Sequence, residues 1–290
     1  MPEKHLVGHL AASLCVLIWG TTFIATKVLL RNFGPVEILL TRFVIGYVAL
    51  FLMRPGRVKV ARRQQEWWFV GAGFSGITLY YLLENIALAN TTASNVGIIV
   101  TISPFFTAVL ARWWLHAPKP SRSFYWGFVV AISGVILISY RSGAAVGNWR
   151  GDALAVLAAG AWAIYSLLIT KIGGLNLDLI QATRHAFFYG ILFMVPLAGV
   201  FGFHVVPAQL LQLPILANFL YLGIGACAIC FVAWNLAVKR LGTVRSSVYL
   251  YLVPVITLFF SVWLLHEPLT PIILLGAALT LIGLWLSGKN

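Results

Sequence analysis

Charge is what this chain has least of. Lys, Arg, Asp and Glu together make up 9% of its 290 residues, against about 25% in a soluble domain. The acids can be named in full: Glu3, Glu37, Glu66, Glu84, Asp152, Asp178 and Glu267. So few charges cannot cover the surface of a water-soluble globule of this size. Cysteine is scarce too, and Cys15, Cys227 and Cys230 all fall in apolar stretches, which excludes a disulfide framework. Cys227 and Cys230 have the spacing of a redox or metal pair, but with no His or carboxylate beside them they read as small packing residues. Also missing are a Ser/His/Asp set, a His-Glu-x-x-His run and a pair of intramembrane carboxylates. The expectation is therefore no catalytic residue, no metal and no cofactor.

What is present is apolar length. Hydrophobic residues make up 61% of the chain, and runs of about 20 recur, each enough to cross a hydrocarbon layer of about 30 Å. Ten such spans are read at 10–30, 36–53, 67–89, 93–115, 122–140, 152–172, 178–201, 214–238, 243–266 and 271–287. The first lacks a small-residue cleavage site and reads as a retained helix. The expected fold is an all-α membrane protein of ten transmembrane helices.

The net charge of +13 would point to nucleic acid in a soluble protein, but here it follows the loops. Arg54, Arg57, Lys59, Arg62 and Arg63 come after the second span, Lys119 and Arg122 after the fourth, Lys171 after the sixth, and Lys239, Arg240 and Arg245 after the eighth. Lys4 and Lys289 lie on the same side. Few basic residues face them: Arg31, Arg141, Arg150 and, near the end of its span, Lys27. The positive-inside rule then places both termini in the cytoplasm. The expected partners are the lipid bilayer and a small molecule, not nucleic acid, and the oligomeric state stays open.

The chain also repeats itself. "WWLHAP" at 113–118 returns within "VWLLHEP" at 262–268, so that Trp113, Leu115, His116 and Pro118 recur 150 residues later. Asn85, Ala87 and Pro104 recur at the same offset as Asn235, Ala237 and Pro254. Trp19 matches Trp162, Thr41-Arg42 matches Thr183-Arg184, and Gly127 and Gly134 match Gly276 and Gly283. The expectation is two five-helix repeats, 1–145 and 146–290. Because five is odd, the second must enter the membrane inverted. His116 and His266 then lie on opposite faces and cannot share a metal whose ligand bonds are about 2 Å. The duplicated phrase is a helix ending, with Trp and His at the interface and Pro stopping the helix. Inverted halves also suit alternating access, with the substrate near the midplane.

"IWGTTFIATKVLL", "TRFVIGYVAL" and "LLHEPLTPIILLGAALTLIGLWL" resemble the EamA-type family of the drug/metabolite transporter superfamily along the whole chain, and within it the bacterial aromatic amino acid exporters. The resemblance implies ten helices in two inverted repeats, a bacterial inner-membrane location, and export of small metabolites through a central cavity. Ala117 stands where Glu267 stands in the second half, a departure for any role needing both carboxylates.

The candidate substrate-binding residues fall on matched spans. Trp19 and Thr22 share a helix face with Thr26, and Trp162 and Tyr165 mirror them with Ile169. Tyr80, Tyr81 and Asn85 on the third span answer Cys230, Phe231 and Asn235 on the eighth. Glu84 is the acid lying clearly within a span, where it either faces the cavity to bind an ammonium or a proton or reaches the outer interface or pairs locally, and its counterpart is Trp234. His185 is the other titratable candidate. Arg42 and Arg184 are read as anchors whose long side chains reach opposite interfaces. Pro104 and Pro254 each remove a helical N–H donor within their spans, and these breaks are candidate gates.

Three functions compete on these residues: an exporter of neutral amino acid-like metabolites, an organophosphate or nucleotide-sugar exchanger, and a membrane enzyme. The exchanger would want paired basic residues deep in the cavity, whereas the matched Lys27 and Lys171 lie near span ends.

Overall fold

The computed structural model describes residues 2–56, 58, 60, 62–114, 119–141, 149–204, 207–241, 246 and 248–287; the side chains of 2–5, 138–141, 207, 248 and 251 are not described. His116, Ala117 and Pro118, along with Arg57, Lys59, Arg245 and Lys289, lie outside the described residues. Among those described the chain is helical throughout, with no strand.

Helix α1 (Pro2–Leu29) is followed by α2 (Pro35–Met53), whose start is fixed by Pro35 and by Glu37 accepting from the Gly34 N–H at 2.7 Å. Proline suits the first helical turn, where its missing N–H has no partner to lose. Next, α3 (Arg63–Ala72) passes through a π-helical stretch (Gly73–Leu79) into α4 (Tyr80–Asn90). The chain turns at Thr91 into α5 (Ala93–Ile99), then a 3₁₀ turn (Val100–Ile102) and α6 (Ser103–Trp114). The remainder is α7 (Arg122–Arg141), α8 (Trp149–Gly173), α9 (Leu179–Phe201), short α10 (Pro207–Leu210), and α11 (Leu213–Leu220) running through π-helical Tyr221–Ile229 into α12 (Cys230–Leu241). A 3₁₀ turn (Val248–Leu252), α13 (Val253–Leu265) and α14 (Pro271–Ser287) complete the order.

The irregularities recur. The π-helical stretches overlap at an offset of 150 residues, and each 3₁₀ turn runs directly into the proline-bearing α6 or α13. Pro104 and Pro254 are therefore the second residues of new α segments, not interior residues of an unbroken helix. The shift to i, i+3 bonding just ahead of each is the local consequence of the missing donor.

Among the described residues, six helices are long and apolar enough to cross a membrane: Leu6–Leu29, Pro35–Met53, Ala93–Trp114, Trp149–Gly173, Leu179–Phe201 and Leu213–Leu241. Arg122–Leu137, Val253–Leu265 and Pro271–Ser287 are shorter apolar helices. Their outer faces expose Leu52, Val200, Leu213, Phe259 and Trp263, a surface suited to lipid and not to water. This is a multi-pass membrane protein.

Backbone-to-backbone packing holds the bundle. A Cβ added at Gly127 would stand 2.4 Å from the Gly283 carbonyl, and one at Gly134 would stand 2.4 Å from that of Gly276, so α7 and α14 touch along their glycines. Small residues let membrane helices approach this closely, which is where much of their association energy arises.

Candidate substrate cavity

The centre of the bundle is aromatic. Trp19 of α1 and Trp162 of α8 meet edge-on, with ring centroids 5.8 Å apart at 85°. Tyr80 lies 5.0 Å from Trp162 and 4.7 Å from Tyr81. Trp19 Nε1 donates to the Ala226 carbonyl at 3.2 Å, satisfying the indole while fixing its ring. Ala226 can present that carbonyl because it lies in a π-helical stretch, whose i, i+5 pairing frees backbone groups from the α ladder.

Between these rings lies a cavity of about 50 Å³ bounded by Trp19, Thr22, Tyr80, Tyr81, Glu84 and Trp162 from the expected set. Room of that size holds a few waters at most, so a larger occupant requires the walls to move. Thr101 and Ser103 of the α5–α6 turn also face it. Glu84 is buried with Oε1 lacking a hydrogen-bond partner, and it does not reach the bundle surface.

Other expected residues lie apart from this cavity. Trp234 stands behind Trp19 at 5.2 Å, and Tyr165 behind Trp162 at 5.0 Å. Asn85 donates to the Pro35 carbonyl at 3.0 Å, tying α4 to α2. Asn235 donates to Thr183 Oγ1 at 3.0 Å, tying α12 to α9, and faces a second cavity of about 280 Å³ with Thr183 and Lys239. His185 contacts Glu66 Oε1 at 2.6 Å, and the Tyr189 hydroxyl donates to the same oxygen at 2.5 Å. That cluster joins α9 to α3 away from the aromatic centre.

Two residues did not stand out in the sequence. Phe231 is the hub of the ring cluster, within 6.3 Å of Trp19, Tyr81, Trp162 and Tyr165; its signal was its match to Tyr81. Arg42 overturns its reading as an interfacial anchor: it is 0% exposed. Its guanidinium lies 4.6 Å from the centroid of the Tyr81 ring, and Nε points to Cys227 Sγ at 3.3 Å. Its counterpart Arg184 instead donates to the carbonyls of Arg54, at 2.7 Å, and Gly56. The clue was depth: Arg42 is the eighth residue of α2, about 10 Å from the helix start at 1.5 Å per residue.

A group of polar contacts ties several helix ends together. Lys27 Nζ donates to the carbonyls of Leu88 and, at 2.6 Å, Thr91. Thr91 Oγ1 donates to Asp152 Oδ1 at 2.9 Å. Glu267 accepts from Ala93 N at 2.8 Å, Ser94 N at 3.1 Å and Ser94 Oγ at 2.5 Å. Helices α1, α4, α5, α8 and the end of α13 meet through these bonds.

The bundle thus holds a small central cavity walled mainly by aromatic rings. The chain belongs to the EamA-like transporter family, which it matches over residues 6–140 and again over 149–288. It is 28% identical to an uncharacterized transporter of Archaeoglobus fulgidus, over 96% of both chains. It is 31% identical to a probable terminal-alkyne amino-acid exporter of Streptantibioticus cattleyicolor, over 97% of this chain and 93% of that one. A protein of known crystal structure shares the fold, with a TM-score of 0.69 at 19% identity over 99% of this chain and 97% of that one.

Proposed function

We propose that this transporter exports small neutral metabolites, foremost aromatic and other apolar amino acids, by alternating access. The observation that carries the reading is the cavity where Trp19 and Trp162 meet, walled by aromatic rings with Glu84 among them. Rings suit an apolar side chain and a buried carboxylate suits an ammonium. The probable terminal-alkyne amino-acid exporter among its relatives supports the same substrate class.

The moving parts are two inverted repeats, 1–145 and 146–290, giving ten crossings of a bacterial inner membrane with both termini cytoplasmic. The double family match supports this division. So does the crosswise packing of α7 on α14: Gly127 touches Gly283 and Gly134 touches Gly276, each glycine meeting the counterpart of the other, as residues do across a twofold axis. In that orientation the polar contacts of Lys27, Asp152 and Glu267 close the outer end, and the cavity beside Asn235 belongs to the inner one. The prolines at the α6 and α13 junctions are the gating breaks.

An organophosphate or nucleotide-sugar exchanger finds less support. Lys27 is engaged by backbone carbonyls, and Lys171 lies 4.6 Å from the Trp114 ring centroid. Counterflow of labelled amino acids in proteoliposomes, with and without a pH gradient, tests the proposal. Saturable exchange of phenylalanine or leucine is expected, while exchange confined to phosphorylated compounds, or turnover of the probe into product, would reject it.

A further inference from the structure

Arg42 and Glu84 are both fully enclosed, and both are incompletely satisfied. Arg42 Nη1 and Nη2 have no hydrogen-bond partner, nor has Glu84 Oε1. The two are close enough to feel each other's charge, yet the ion pairs among the described residues do not join them. Leaving charged groups unpaired in an apolar interior is costly. Open donors and an open acceptor therefore flank Tyr81: Arg42 lies against its ring, and Glu84 bounds the cavity beside it.

Tyr81 links them to the cavity. Its side chain bounds the cavity alongside Glu84 and also lies against the Arg42 guanidinium. At about 50 Å³ the cavity is smaller than an amino acid, so filling it must move its walls, and Tyr81 is a wall residue in contact with Arg42. A planar guanidinium with two free nitrogens matches a carboxylate in a fork geometry. The free oxygen of Glu84 matches an ammonium.

Building on the amino acid reading above, we propose that Arg42 and Glu84 recognise the two charged ends of a zwitterionic α-amino acid, Arg42 taking the carboxylate and Glu84 the ammonium, while the side chain lies among the Trp19, Trp162 and Tyr80 rings. One molecule would thus satisfy both buried groups at once. The second half lacks this arrangement, since Arg184 is spent on loop carbonyls and Trp234 replaces the acid. The head-group site is thus one-sided in an otherwise matched pair of halves.

The test is calorimetric titration of the purified full chain in detergent with L-phenylalanine, L-phenylalaninamide and N-acetyl-L-phenylalanine. At mildly acidic pH, where its amine stays protonated, the amide removes the carboxylate charge; the acetyl group removes the ammonium and adds bulk, an effect the Glu84→Gln comparison separates. Each derivative is expected to bind about 10- to 100-fold more weakly than the amino acid, as befits a buried polar group left without its partner. In Arg42→Gln the gap between acid and amide should close, and in Glu84→Gln the gap between free and acetylated amine should close. The comparison on the unaltered protein decides the matter even if a variant fails to fold: equal binding of all three compounds overturns the head-group assignment alone. If none of the three compounds binds, the substrate reading falls with it.

Discussion

Trp19 and Trp162, separated by 143 residues in sequence, meet edge-to-face at 5.8 Å in the centre of the bundle. Each bounds the same cavity, and both are buried within the bundle, unlike the exposed tryptophans that anchor a membrane protein at the interface.

Alanine at Trp19 or Trp162 should therefore impair uptake of an aromatic amino acid into reconstituted vesicles more than uptake of threonine. One lost ring contact is about 0.5–1.5 kcal/mol, or roughly two- to thirteenfold in apparent affinity. Equal losses for both substrates would mean that the rings serve helix packing.

The Glu267 carboxylate holds three donors at the start of α5. Glu267→Ala leaves them without that acceptor and should lower stability by about 1–3 kcal/mol, read as earlier thermal unfolding in detergent. An unchanged melting curve would mean that water replaces the carboxylate without cost.

Gly134→Ala should destabilise by about 1–3 kcal/mol, because its new methyl meets backbone that has nowhere to go. Gly160→Ala is the control: nothing lies within 4 Å of its Cβ position, and the exchange should stabilise α8 by up to about 1 kcal/mol. Thermal unfolding of the two variants side by side gives the comparison.

The loop charges predict sidedness. Cysteines placed at Arg57 and Lys119 should resist impermeant thiol reagents in intact cells, and one at Asn148 should label. Labelling of all three from outside would contradict cytoplasmic termini.

Alanine at Pro104 or Pro254 restores a backbone donor and should let α geometry replace the 3₁₀ turn ahead of it. Transport should slow while phenylalanine binding persists. Normal transport in both variants would make the two turns fixed features of the fold.

Helix content and the Trp19–Trp162 match were legible because apolar length and repetition are written directly in the residues. The fate of Arg42 was not. Repetition paired it with Arg184 and gave both one role, whereas only the packed chain reveals that one finds loop carbonyls and the other a tyrosine face. The contact of His185 with Glu66 was likewise hidden, because the two lie 119 residues apart in sequence. The π-helical stretches left no periodic trace, since an apolar run reads alike at either pitch.

Those stretches have a mechanical consequence. A π-helical turn holds one residue more than an α turn, so Gly73–Leu79 stores a surplus residue immediately before Tyr80, Tyr81 and Glu84. Were that surplus released, everything beyond it would swivel by about 100° and advance by about 1.5 Å. The aim of three cavity side chains is thus set by the winding of seven residues, and a change of pitch there would re-point them together, like a key turned in its lock.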